Sequence, residues 1–175
     1  MTDKCEWLPS VTPIIRGETT TDYISRLHII FDKDFNVSKP KFLGKDVIYD
    51  KNPKINNMEQ AFYHLTTIGE HFIGSNNNLD RNIDYSRSEK IGWIKEIISH
   101  YDCKKGCCSG IKIWKIKKRI SIFFTAENYL IVLEDRKKYF LLITAYPLNR
   151  PHEITKKLKQ YEEYGDYIKT KSDQK

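Results

Sequence analysis

Residues 111–147 constrain this chain more than any other stretch. They read as three consecutive strands, residues 111–125, 128–134 and 138–146, each rich in β-branched and aromatic side chains and bounded by polar or turn-forming positions. The Glu-Asp-Arg-Lys-Lys run at 134–138 is a short charged connection, so the second and third strands form a predicted hairpin. The third strand is apolar at nearly every position, which is the composition of a strand covered on both faces near the centre of a sheet. Thr144 and Tyr146 break that rule by bringing hydroxyls to one face at the strand's end. A central strand that ends in polar groups is a natural place to build a site.

Helical patterns flank this sheet. Ser86 followed by Glu89 has the spacing of a capping box, and Ile91, Trp93, Ile94, Ile97 and Ile98 then form an apolar face running to His100. In residues 58–67, Ala61, Phe62 and Leu65 fall at helical spacing with His64 on the polar side. Residues 23–31 suit a short strand or a helix equally, and residues 42–49 suit an edge strand after a glycine turn. Pro151 sits where a first helical turn tolerates it, and Ile154, Leu158 and Tyr161 mark the inner face of a final helix. The expected fold is α+β: N-terminal helices, then a twisted antiparallel sheet, then a C-terminal helix. At 175 residues the chain fits one domain, with an irregular arm over about 1–18 and a frayed tail over about 169–175.

The formal charge of +7 favours an anionic partner. It is clustered: Lys112, Lys115, Lys117, Lys118 and Arg119 share one strand region, and Lys156, Lys157 and Lys159 share one helix. We take Lys117, Lys118 and Arg119 as candidate nucleic-acid-binding residues. No window approaches the ~18 apolar residues of a membrane span, and the first residues lack the basic-then-apolar order of a secretory signal, so the expectation is a cytoplasmic protein without a membrane partner. Cys103, Cys107 and Cys108 crowd one loop, with His100 nearby. That is not the paired spacing of a zinc site, and reduced thiols are the expectation.

Several phrases occur together: Phe62-Tyr63-His64-Leu65-Thr66-Thr67, the Arg87-x-Glu89-x-Ile91-x-Trp93 helix, Ile113-Trp114, and the long run from Asn128 that closes on Thr144-Ala145-Tyr146-Pro147. In that order, over roughly residues 23–158, they resemble a family of phage- and prophage-borne proteins similar to the barnase–EndoU–colicin–RelE-like ribonuclease superfamily. The resemblance implies RNA bound on the concave face of a twisted sheet. It also implies metal-independent endoribonuclease chemistry in a toxin-like or phage-conflict protein, with the ribose 2′-hydroxyl as nucleophile and no cofactor. An acidic neutralising protein would be the partner expected of such a toxin.

Carried onto this chain, the resemblance implies four site residues. His64 titrates in the range needed for an acid or base. Arg87 offers a permanently charged fork for the phosphate, and Thr144 and Tyr146 offer hydrogen bonds to it. Each has a plainer role: His64 as a solvated histidine, Arg87 in an ion pair with Asp84 or Glu89, Thr144 and Tyr146 packed under the last helix. Arg87 also falls in a predicted first helical turn, where it opposes the helix dipole. The 103–110 loop has no counterpart in the family pattern. No second histidine neighbours His64 in sequence, which leaves His71 and His152 as partners only if the fold brings them close. The alternatives are a non-catalytic nucleic-acid-binding protein, to which the basic clusters alone would suffice, and an inhibitor or immunity factor whose charge is only solvation.

Overall fold

The structure, a computed structural model, describes residues 5–69, 82–103 and 110–172. Its centre is a six-stranded sheet built from β1 (Lys41–Phe42), β2 (Lys45–Ile48), β7 (Ile111–Ile116), β8 (Arg119–Phe124), β9 (Tyr129–Asp135) and β10 (Phe140–Pro147), in the order β1-β2-β10-β9-β8-β7. Two short ladders lie outside it: β3 (Lys54–Ile55) with β4 (Met58–Glu59), and β5 (Thr67–Ile68) with β6 (Asn82–Ile83). The helices are α1 (Thr20–Asp32), α2 (Gln60–Thr66), α3 (Tyr85–Ser88), α4 (Trp93–Ser99), α5 (Pro151–Tyr164) and α6 (Tyr167–Ser172). The fold class is α+β, with helices in the N-terminal region and at the C-terminus.

Three expectations change in detail. The predicted 111–125 strand is two strands, β7 and β8, folded back at Lys117 and Lys118. Lys117 takes a left-handed φ of 54°, so the turn forms without the glycine or asparagine that would have announced it. The sheet is mixed rather than antiparallel, because β2 pairs parallel to β10 through Phe140 and Leu141. The ambiguous 23–31 segment is helical. In α1, Thr19 accepts a hydrogen bond from the Asp22 amide, and Tyr23, Leu27 and Phe31 are buried at spacings of four residues. Beyond α5, α6 runs from Tyr167 to Ser172.

Alternation along the strands divides the sheet into two faces. Ile120, Ile122, Phe124, Tyr129, Ile131, Leu133, Phe140, Leu142 and Ala145 join Leu27 and Phe31 of α1, Phe62 and Leu65 of α2, and Ile94, Ile97 and Ile98 of α4 in the main core. The intervening residues Trp114, Phe123 and Leu130 form a smaller cluster with Leu148, onto which Ile154, Leu158 and Tyr161 of α5 pack. Trp93 and Trp114, both read as core residues, are buried.

His28 tethers α1 to the start of α2. Its Nε2 lies 2.8 Å from Oε2 of the buried Glu59, and the Tyr49 hydroxyl donates to Glu59 Oε1 at 3.3 Å. Burial raises the Glu59 pKa, but the hydrogen bonds from His28 and Tyr49 outweigh it and hold the carboxyl below its ordinary value. A carboxyl with a folded pKa below its unfolded one contributes stability above the unfolded pKa, and that stability is lost as pH falls through the folded value. Glu59→Gln is therefore expected to cost about 2 kcal/mol near neutral pH and to lose less stability than the wild type as the pH falls through and below the ordinary carboxylate range. Urea unfolding followed by tryptophan fluorescence measures both; equal acid sensitivity in the two proteins would refute the assignment.

Candidate functional site

The site is built at the far end of β10, where the sheet changes its pairing. β2 reaches only Leu141, so from Thr144 onward that edge of β10 has no strand partner among the described residues, and α2 and α3 lie against the strand instead. A bulge separates Leu142, which pairs with Leu133, from Thr144, which pairs with Val132. One extra residue reverses the facing of everything after it. Ala145 thereby returns to the main core opposite Ile131, while Tyr146, opposite Leu130, packs with the cluster under α5. Thr144 and Tyr146 thus share the α5 side of the sheet.

Arg87 reaches this strand end from α3. The α3 cap is Asp84, whose Oδ1 accepts from the Arg87 amide at 3.2 Å. Asp84 replaces the capping box expected from Ser86, whose hydroxyl instead donates to Asp84 Oδ1 at 2.7 Å. The predicted helix is broken between Ser88 and Trp93 into α3 and α4. Arg87 Nη1 donates to the carbonyl of His64 at 3.0 Å and of Thr67 at 3.5 Å, so its charge complements the C-terminal carbonyls of α2. Thr66 and Thr67 hydroxyls take the Phe62 and Tyr63 carbonyls of the same helix end. The guanidinium carbon lies 5.3 Å from the centre of the Tyr146 ring, a cation–π contact. The ion pair with Asp84 exists but is long, 3.9 Å from Nε, and the buried Nε has no hydrogen-bond partner among the described residues.

The four sequence-derived residues are therefore brought together unequally. Arg87 and Tyr146 touch. Thr144 stands two residues before Tyr146 on the same side. His64 contributes its carbonyl to Arg87, and its side chain is exposed on the outer side of α2. Of its suggested partners, His152 is exposed at the start of α5, and His71 lies outside the described residues, as do Cys107 and Cys108.

Two further groups belong to this neighbourhood. Tyr129 of β9 is fully buried with its hydroxyl unpartnered among the described residues; burial pushes that hydroxyl's pKa up, against the opposing charge of Arg87. Glu153, in the first turn of α5, acts with burial to raise the Tyr146 pKa, which Arg87 again opposes. Tyr146 is accordingly a hydroxyl that holds its proton more firmly than a free tyrosine. Neither residue carried a sequence signal: Tyr129 reads as one more strand aromatic, Glu153 as one more helix charge.

Lys117, Lys118 and Arg119 lie at the opposite end of the same face. With Val132, Glu134 and Lys157 they line a cleft of about 690 Å³ beside α5. Tyr146 is level with Leu130 and Arg119 with Glu134, which puts the two groups ~13 Å apart along the strand direction at ~3.3 Å per residue. Arg119 and Arg136 both pair with Glu134, at 3.1 and 2.6 Å.

Comparisons with protein-family models, curated proteins and solved structures find no match to this chain.

The hydroxyl of Tyr129, without a hydrogen-bond partner among the described residues, carries a desolvation cost of ~1–3 kcal/mol. Tyr129→Phe should then leave thermal stability unchanged or raise it, by up to about 1 kcal/mol. A clear fall in the melting temperature would mean that the hydroxyl is supported after all, most simply by water shared with Arg87.

Proposed function

We propose that this protein is an endoribonuclease of the metal-independent kind, toxin-like in role, that binds RNA across the α5 face of its sheet and cuts it at the end of β10. The observation that carries the reading is the 5.3 Å approach of Arg87 to Tyr146 from segments far apart in sequence, beside the residue that supplies the exposed imidazole of His64.

In this chemistry the ribose 2′-oxygen attacks the adjacent phosphorus and the bond to the 5′-oxygen breaks. The products are a 2′,3′-cyclic phosphate and a free 5′-hydroxyl. A base must take the 2′-hydroxyl proton, an acid must protonate the departing 5′-oxygen, and the charge gathering on the non-bridging oxygens must be met by donors. His64 suits proton transfer. Arg87 presents a partly desolvated guanidinium against the Tyr146 ring. Tyr146, held protonated by burial and by Glu153, suits hydrogen bonding to the phosphate, with Thr144 beside it.

The purified protein, given total RNA in the presence of EDTA, should release fragments ending in 2′,3′-cyclic phosphate. His64→Ala should lower the rate by ~10²–10⁴-fold, and Tyr146→Phe and Thr144→Ala by up to ~10²-fold for each donor lost, with circular dichroism showing each variant folded. RNA left intact at high protein concentration would sink the proposal.

A second reading draws on the ~13 Å offset along the strands between the basic turn and Tyr146, together with the use of Arg87 Nη1 on carbonyls. On that reading the face binds nucleic acid without cutting it. Binding would then be steeply salt-dependent, would survive His64→Ala, and would fall when Lys117, Lys118 and Arg119 are neutralised.

A further inference from the structure

The cleft beside α5 has more structure than a patch of surface lysines. Its volume, about 690 Å³, lies within the ~300–1,000 Å³ range of small-ligand sites. Ile116 and Val132 give it apolar walls, and Ser121, only 9% exposed, lies between them on β8. Lys117 and Lys118 line it from the β7–β8 turn, and Lys157 and Gln160 line it from α5, where the Lys157 ammonium donates to the Gln160 amide oxygen at 3.4 Å. Glu134, the one carboxylate lining it among the described residues, is held by two guanidinium groups and so does little to repel an anion.

We infer that this cleft is a nucleotide subsite, in which Lys157, Lys117 and Lys118 take a phosphate while the base lies on Ile116 and Val132. The inference rests on the RNA reading above and adds a length requirement to it. The basic turn at Arg119 lies ~13 Å from Tyr146 along the strands and two strand spacings, ~10 Å, across them, about 16 Å in all, although Val132 brings the near wall of the cleft beside Thr144. At the ~3.4 Å advance of a stacked strand that distance corresponds to about five nucleotides. A dinucleotide can occupy the strand end alone; a longer RNA fills both. Burial and the neighbouring Lys156 push the Lys157 pKa down, and a phosphate opposite the ammonium would reverse that pressure. Apolar walls matter because base faces stack on them without regard to sequence.

The test is fluorescence anisotropy with a labelled octaribonucleotide at ~50 mM and ~200 mM salt, paired with cleavage of the octamer and of a dinucleotide. Lys157→Ala should weaken octamer binding by about tenfold and lower the salt slope by roughly one, while leaving dinucleotide cleavage unchanged. Lys159→Ala, an exposed neighbour on the same helix that does not line the cleft, should change neither. An equal effect of Lys159→Ala, or equal displacement of the octamer by poly-aspartate, would overturn the subsite and leave only general attraction to the positive face. Cleavage that persists with unaltered octamer affinity in Lys157→Ala would overturn the subsite alone. Binding that depends on Lys157 without any cleavage would uphold the subsite and sink the nuclease reading. No binding at either salt would sink both.

Discussion

One inserted residue in β10 governs where the chemistry of this molecule faces. Before the bulge, Phe140 and Leu142 point into the main core; after it, Ala145 does. In an unbroken strand, Thr144 would follow Phe140 and Leu142 inward and Ala145 would face α5. The bulge sends the two hydroxyl-bearing side chains to the half-covered face and keeps a small apolar residue in the interior. It comes two residues after Leu141, the last residue paired with β2, where the strand is released on one side. Loss of a ladder and reversal of facing therefore coincide, and the vacated edge is where α2 and α3 lie.

Arg87 joins structure and candidate chemistry in a single side chain. Its Nη1 donates to the His64 and Thr67 carbonyls at the end of α2, and its guanidinium lies over the Tyr146 ring. Side-chain exposure of 17% means that the charge is partly desolvated, so an oxyanion meeting it would interact more strongly than at an open surface. The same contacts fix its rotamer, which removes the ordering cost a free surface arginine would incur on binding.

Much of the sheet was legible in the sequence because β9 and β10 are long, β-rich and separated by an obvious charged turn. The β7–β8 turn was hidden because two lysines occupy it, one in a left-handed conformation that lysine seldom adopts. The parallel pairing of β2 with β10 was hidden for a different reason: its registered partners are some 93 residues apart, Val47 with Phe140, and no local pattern records such a contact. Asp84 outcompeted Ser86 as a cap because its amide is already held by the Thr66 carbonyl, a tertiary constraint. Of the candidate site, the residue types at the end of β10 were readable from composition alone. The meeting of Arg87 with Tyr146 was not, since it depends on the bulge, the broken helix and the α2 terminus together. Tyr129 and Glu153 passed unnoticed because their significance comes from position beside a charge, not from any motif.

The borders of the sheet carry a consequence of their own. β1, at one border, is two residues long. β7, at the other, is flanked by α5 and α6, with Lys112 set over the Tyr161 ring at 4.6 Å and Lys115 bound to Asp135 at 2.7 Å. Short rims, charged rims and helix-guarded rims are all poor templates for recruiting a foreign strand. A chain this rich in β-branched and aromatic segments is thereby discouraged from growing into sheets with its own copies, and its open face can stay exposed without turning into an aggregation seed.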